Sequence, residues 1–185
     1  TSMLSQFDKD DVEAVGLVKF DFLGLTTLTI LDWTVRFIRM LDPAAEIDLD
    51  RLPLDDQAAF NVFRKVNTTA VFQFESRGMR DLLKQAPPTR FEDVIALVAL
   101  YRPGPIEGGM VDHYIEVKHG RQKPDYPHPV MEEVLGETHG VMVYQEQVMR
   151  ILNRLGGIEL ASAYTCIKAI GKKKLPIIEK FRGQF

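Results

Sequence analysis

Two residues of opposite charge, Lys19 and Asp21, stand two positions apart in the segment Leu17-Val18-Lys19-Phe20-Asp21-Phe22-Leu23-Gly24-Leu25. Read with a period of two, Val18, Phe20 and Phe22 share one face of an extended strand, and Lys19 and Asp21 share the other. Along such a strand the two charged groups are about 7 Å apart. A carboxylate that can take a divalent metal, beside an ammonium that can take a triphosphate, is what phosphoryl transfer asks for. Gly24 then lets the chain turn into a helix. A solvated surface pair fits the same pattern, and a two-metal site needs more than one carboxylate. No second carboxylate stands at strand spacing from Asp21. Asp8, Asp10 and Asp11 lie upstream, in a polar stretch that reads as a loop or a short helix.

Other candidate chemistry sits at the opposite end. Residues 164–185 carry 6 basic and 1 acidic side chains, a net of +5, whereas residues 1–56 carry 5 and 12, a net of −7. Residues 57–163 carry 12 and 13, so the overall charge of −3 hides a gradient. The basic end, with Lys172, Lys173 and Lys174, can touch a phosphate backbone, and the acidic end can hold metal. A solvated helix terminus, favoured by the helix dipole, explains the lysines equally well. Arg102 opens Arg102-Pro103-Gly104-Pro105, which breaks a helix and presents the guanidinium to phosphate or to a structural salt bridge. Gln145 to Gln147 can cap a helix.

Several chemistries are excluded. His113, His119, His128 and His139 do not pair at metal-ligand spacing, which argues against zinc. Gly171-Lys172 lacks both the earlier glycine and the following Ser/Thr of a phosphate-binding loop. No Gly-x-Ser-x-Gly motif and no Cys/His nucleophile pair occurs. The single Cys166 rules out an internal disulfide, fits a reducing compartment, and reads as a small core residue. No apolar run reaches membrane-spanning length.

The elements that must position these groups are almost all helical. With 185 residues, 45% apolar and 26% charged, the chain suits one domain, or a small piece plus one domain. The pattern predicts a helix over 26–41, apolar on two sides and buried between neighbours, stopped by Asp42-Pro43. A second helix starts near Asp55 and buries Phe60 and Phe63. A third follows Ser76 and ends at Pro87-Pro88. A fourth has a capping box from Thr89 to Glu92 and an apolar run from Val94 to Tyr101. Shorter helices are expected over 108–118 and 129–135, and Gly140 to Val143 reads as extended. Helices over 145–155 and 159–170 end at Gly156 and Gly171. A last helix has Pro176 in its first turn and no stop signal. With no partner for the opening strand and no end to the last helix, the chain reads as a piece of something larger.

Six blocks carry a resemblance in order along the chain. They are residues 15–25; Thr68-Thr69-Ala70-Val71-Phe72-Gln73-Phe74-Glu75-Ser76-Arg77-Gly78-Met79; Phe91-Glu92-Asp93 through Tyr101-Arg102-Pro103-Gly104-Pro105; Lys118-His119-Gly120-Arg121; Tyr144-Gln145-Glu146-Gln147-Val148-Met149; and Ala169-Ile170-Gly171-Lys172-Lys173-Lys174. Together they resemble the palm–fingers junction and early fingers of the C-family bacterial replicative polymerases, the DNA polymerase III alpha subunits. The resemblance implies a mainly α fold, a helical fingers region preceded by a terminal β-strand of a nucleotidyltransferase-type palm. Residues 1–24 would end the palm and residues 25–185 would begin the fingers. It implies a DNA-directed DNA polymerase that adds deoxynucleoside triphosphates to a primer 3′-hydroxyl in chromosome replication, by a two-metal mechanism in the cytoplasm.

On the same resemblance, Asp21 is the third of three palm carboxylates that hold two Mg2+ ions, and Lys19 lies against the incoming triphosphate. The other two carboxylates belong to an Asp-x-Asp-type motif that is absent here, so this chain alone is expected to be inactive. The family commonly has two arginines where Ile167 and Lys168 stand, which leaves Lys168 as a point charge without a bidentate fork. Lys172, Lys173, Lys174 and Arg102 are candidate DNA or phosphate contacts. The implied partners are primer–template DNA, deoxynucleoside triphosphate and, through other parts of the parent, a sliding clamp and a proofreading subunit, with no membrane. The rival reading is a non-catalytic helical module that binds protein or DNA.

Overall fold

The computed structural model describes residues 3–185. Among them the chain forms helices and short 3-10 turns and no strand, so the mainly α expectation holds. The strand expected at the start is not formed. Residues 17–25 lie in neither helix nor strand, and Val18, Phe20 and Phe22 are exposed rather than packed. A strand is held by its ladder, and no partner strand lies beside this one among the described residues.

The chain divides into two compact units, one ending at Arg51 and the other spanning Leu52–Phe185. In the first, α1 (Lys9–Ala14) is capped by Asp8, whose Oδ1 accepts from the Asp10 and Asp11 amides at 2.8 and 2.9 Å. Helix α2 (Thr26–Leu41) ends at Asp42, where Pro43 forbids continuation. The burial expected of α2 does not occur. Trp33 is 46% exposed and Phe37 54%, and no residue of the helix is buried. So short a unit has no second layer with which to cover two apolar sides. The helix is instead dressed locally: the Arg36 guanidinium lies 5.1 Å from the Trp33 ring centre and 2.9 Å from Asp32.

The second unit holds α3 (Gln57–Arg64), α4 (Arg77–Gln85), α5 (Phe91–Leu100), α6 (Pro103–Glu107), α7 (Met110–Lys118), α8 (Pro129–Leu135), α9 (Gln145–Arg154), α10 (Leu160–Gly171) and α11 (Leu175–Arg182). Its core gathers Phe74, Met79, Leu82 and Leu83 from the α4 region, Leu97 and Leu100 from α5, and Tyr114 and Ile115 from α7. Phe63 meets Phe74 edge-on at 4.9 Å, as its place in the α3 pattern requires. A smaller cluster joins Val134, Leu135 and Ile151 of α8 and α9. Helix α10 packs on α9 and α11.

Several helix boundaries differ from the sequence reading, each for a local reason. Asp56, not Asp55, caps α3, with its Oδ1 2.7 Å from the Ala58 amide. At α5 the expected Thr89–Glu92 box is shifted: Asp93 is the carboxylate that turns back, to the Thr89 amide at 2.9 Å and the Thr89 hydroxyl at 3.0 Å. Helix α9 ends at Arg154, two residues before Gly156, whereas α10 ends at Gly171 as expected; the left-handed residues that follow the two helices are Gly157 (φ 64°) and Lys173 (φ 53°). The last helix stops at Arg182, followed by Gly183. Residues 140–143 form no strand, and Val141 is instead buried, with its carbonyl accepting from the Thr138 hydroxyl at 2.6 Å.

Candidate functional site

Lys19 and Asp21 do come together. The Lys19 ammonium lies 3.2 Å from Asp21 Oδ1, and both side chains are about half-exposed. They meet without a sheet, and the apolar residues Val18, Phe20 and Phe22 between and beside them are exposed. A pair so open to water contributes little to folding, which leaves both groups available for other work. The donor set does not by itself fit a divalent metal. Asp21 is one carboxylate with an ammonium against it, and no group of three or more His, Cys, Asp or Glu side chains converges among the described residues.

The basic end is built by α10. Ala163, Cys166 and Ala169 recur on its buried side, so Lys168 falls on the open face and Ile167 is half-buried beside it. Tyr164, one turn earlier, lies under the Lys168 ammonium at 4.6 Å from ring centre to nitrogen. The buried side borders an apolar cleft of about 390 Å³ between α9, α10 and α11. Cys166 lines that cleft, and burial pushes its thiol up and away from reactivity.

Lys172, Lys173 and Lys174 form the turn from α10 to α11. The Lys174 amide reaches back to the Ala169 carbonyl at 2.8 Å, and the Lys173 amide to the Ile170 carbonyl at 3.0 Å. This six-to-one closure puts Lys173 in the left-handed conformation that glycine prefers. All three lysines are exposed and none makes an ion pair among the described residues. Lys173→Gly is therefore expected to stabilise the chain by about 1 kcal/mol in a urea melt, by removing the left-handed penalty. Stability equal to or below that of the parent sequence overturns the strained-turn description.

Arg102 sits at the corner between α5 and α6, with extended backbone (φ −139°, ψ 152°), and Pro103 starts α6 at once. Its guanidinium makes no hydrogen bond or ion pair among the described residues, so the structural salt bridge left open by the sequence is not formed there. The corner is fixed by its neighbour. A β-carbon on Gly78 would stand 1.9 Å from the Tyr101 hydroxyl oxygen and 2.9 Å from the ring carbon that bears it. Gly78 of α4 is thus the seat of Tyr101, and two separate sequence blocks meet as one contact.

Sequence reasoning missed a buried polar cluster around Asp93. This carboxylate is 1% exposed and is met by the Lys118 ammonium, the Thr89 amide and hydroxyl, and the Tyr114 hydroxyl at 3.4 Å. Burial alone would raise its pKa; the Lys118 ammonium and the Thr89 N–H outweigh it and hold the group at about 2. Burial, then the Asp93 charge, pushes the Tyr114 phenol up. His139 packs edge-on against Tyr114 at 4.9 Å, and burial, aided by the Lys118 charge, holds its imidazole below the usual value. Arg90 ties the cluster to the Glu137 carbonyl at 2.7 Å. The signal in the sequence was an acidic residue entering an apolar run; its partner, 25 positions on, carried none.

Other landmark residues are also structural. Gln147 Oε1 accepts from the Val143 and Tyr144 amides at 2.8 and 2.9 Å, while its Nε2 donates to Thr138 Oγ1 at 2.8 Å. Arg121 forks onto Glu116 at 2.9 and 2.7 Å. His119 Nε2 lies 2.6 Å from the Gln85 carbonyl oxygen.

Comparison with known proteins identifies the family. Residues 27–185 match the family described as bacterial DNA polymerase III alpha subunit finger domain. The chain is 50% identical over 194 residues to the DNA polymerase III subunit alpha of Pseudomonas aeruginosa, which covers 99% of this chain. It is 49% identical over 190 residues to that of Escherichia coli K12 and 50% identical over 192 residues to that of Haemophilus influenzae, each covering 98% of the chain. It spans 16% of the length of each of these relatives. With a matched family over most of its length and half its residues shared, the chain belongs to the finger domain family of the bacterial DNA polymerase III alpha subunit.

Proposed function

We propose that this chain is the palm–fingers junction and early fingers of a template-directed, DNA-dependent DNA polymerase, residues 1–24 closing the palm and residues 25–185 opening the fingers. One observation carries the reading. Asp93, Lys118, Arg121 and Gln147 are consumed by internal bonds, whereas Arg102, Lys172, Lys173 and Lys174 are exposed and hold no internal ion pair among the described residues. Charged side chains without a structural duty are free for ligand phosphates.

In the parent protein a primer 3′-hydroxyl attacks the α-phosphate of a deoxynucleoside triphosphate, and pyrophosphate leaves. Lys19 and Lys168 bind the triphosphate charge, while Arg102 and the 172–174 turn hold DNA or nucleotide phosphates. Asp21 would supply one of the carboxylates for two Mg2+ ions, which would stabilise the attacking and leaving oxygens, and the others would come from upstream in a longer polypeptide, where residues 17–25 would pair as the last palm strand. The clamp and proofreading partners bind elsewhere in that polypeptide, in the cytoplasm. No helix among the described residues is long and apolar enough to cross a membrane.

The 185-residue chain alone is expected to give no primer extension with Mg2+ and all four nucleotides, while binding DNA weakly. Its log affinity should fall with log salt with a slope of only a few units, because few phosphates are neutralised. Template-dependent extension by the pure chain sinks the fragment reading, and salt-independent binding sinks the phosphate-contact assignment.

A further inference from the structure

The loop between α3 and α4 carries a feature that the catalytic reading does not use. Three residues other than glycine adopt positive φ within eight positions: Val66 at 57°, Ala70 at 63° and Gln73 at 65°. For L-residues, and for β-branched valine above all, this conformation is costly and persists only where surrounding structure imposes it. The surroundings here do so. The buried Thr68 hydroxyl donates to the Phe74 carbonyl at 2.7 Å, and the Ala70 amide donates to Glu75 Oε2 at 3.1 Å. Phe74 is sunk in the core, and Val71 packs against it.

The product of this bracing is Phe72. It is 43% exposed between two neighbours on a fixed backbone, in contrast to an aromatic left over on a loose terminus. Cations flank it. Arg77 is the first residue of α4 and is exposed. Arg80 is tied to the same loop through Thr69 Oγ1 at 3.2 Å, and its buried Nε has no partner. A half-open aromatic ring on a braced loop that also anchors an arginine offers what unpaired bases stack on and what their phosphates need.

We propose that Phe72 is a stacking platform for an unpaired nucleobase of single-stranded nucleic acid, with Arg77 and Arg80 taking the adjoining phosphates. The proposal rests on the polymerase reading and deepens it by naming a single-strand contact away from the basic turn. Stacking releases no counterions, so its signature differs from that of lysine contacts.

The test measures binding of a fluorescein-labelled oligo-dT of about 12 nucleotides, within the span such platforms cover. The full 185-residue chain, Phe72→Ala, Phe72→Trp and a triple Lys172→Ala/Lys173→Ala/Lys174→Ala variant are compared over a range of salt, with circular dichroism melts as a fold check. Phe72→Ala should weaken binding by about 5- to 100-fold at every salt concentration with the slope unchanged, and Phe72→Trp should bind as well as the parent. The triple variant should flatten the slope instead. Unchanged affinity in Phe72→Ala, or duplex competing as well as single strand, overturns the platform. If Phe72→Ala is silent while the triple variant is weak, the platform falls and the phosphate-contact assignment stands. If no variant differs and no binding is seen, both fall.

Discussion

Lys118→Ala is expected to cost the folded chain about 3–5 kcal/mol, the usual result of stripping the partner from a buried charge. Asp93 is 1% exposed, and Lys118 supplies its one buried cation. Arg90 stands 3.5 Å away with its side chain 44% exposed, so it is a weaker, partly solvated substitute for that ammonium. With Lys118 gone, Asp93 must stay charged in an apolar setting or take up a proton, and its pKa rises. The pH dependence carries the sign of a depressed carboxylate. In the intact chain the stabilisation from Asp93 is complete above about pH 4 and is lost as pH falls from 3.8 toward about 2. By linkage, that loss is about 2 kcal/mol. His139, held below its ordinary 6.5, acts in the same direction and begins to destabilise the fold as pH drops through that value. Urea melts at pH 7 and pH 3 measure both effects. Adding Asp93→Asn to Lys118→Ala should restore a large part of the loss, since no unpaired buried charge remains. A Lys118→Ala penalty below about 1 kcal/mol, or an acid limb identical to the parent's, would remove the pair from the list of what holds this domain together.

On the proposed polymerase reading, a second large effect belongs to the longer polypeptide. Lys168→Ala should raise the barrier for nucleotide incorporation by about 1.5–3 kcal/mol, the worth of a hydrogen bond to a charged group. The loss should fall on kcat/KM for the nucleotide, with primer–template affinity nearly unchanged. The structure adds a detail: at rest the ammonium lies over Tyr164, a contact worth about 0.5–1 kcal/mol at an exposed site. Tyr164→Leu should therefore leave kcat/KM equal to or slightly above the parent's. Single-nucleotide incorporation over a range of nucleotide concentrations reads both variants. Parent-like kinetics in Lys168→Ala, or a loss of DNA affinity instead, would mean that α10 does not grip the triphosphate.

Most helices were legible in the sequence because each carries its own punctuation. Ser76, Pro87-Pro88, Asp42-Pro43 and Pro176 act within a turn of where they stand, and the apolar spacing of α4 and α5 fixes their buried sides. What was not legible depends on distant partners. Asp93 and Lys118 are 25 positions apart, and nothing local announces that they meet. The shift of left-handed geometry from Gly171 to Lys173 is decided by the closure onto Ala169, two residues beyond where composition points. Strand 17–25 is a third case, since alternation marks a face and a ladder requires a neighbour. Among site candidates, charge and exposure were readable at Lys19, Asp21, Arg102, Lys168 and the 172–174 turn. Which landmark residues were already committed to scaffolding was not: Gln147 and Arg121 look no different in sequence from free polar side chains.

The sole tryptophan, Trp33, lies on the exposed face of α2, within the unit that ends at Arg51. Its emission therefore reports on the immediate surroundings of α2. Any partner that seals α2 should shift the emission to the blue without an added label, and the stacked Arg36 guanidinium should make acrylamide quenching of the resting chain weaker than exposure alone implies.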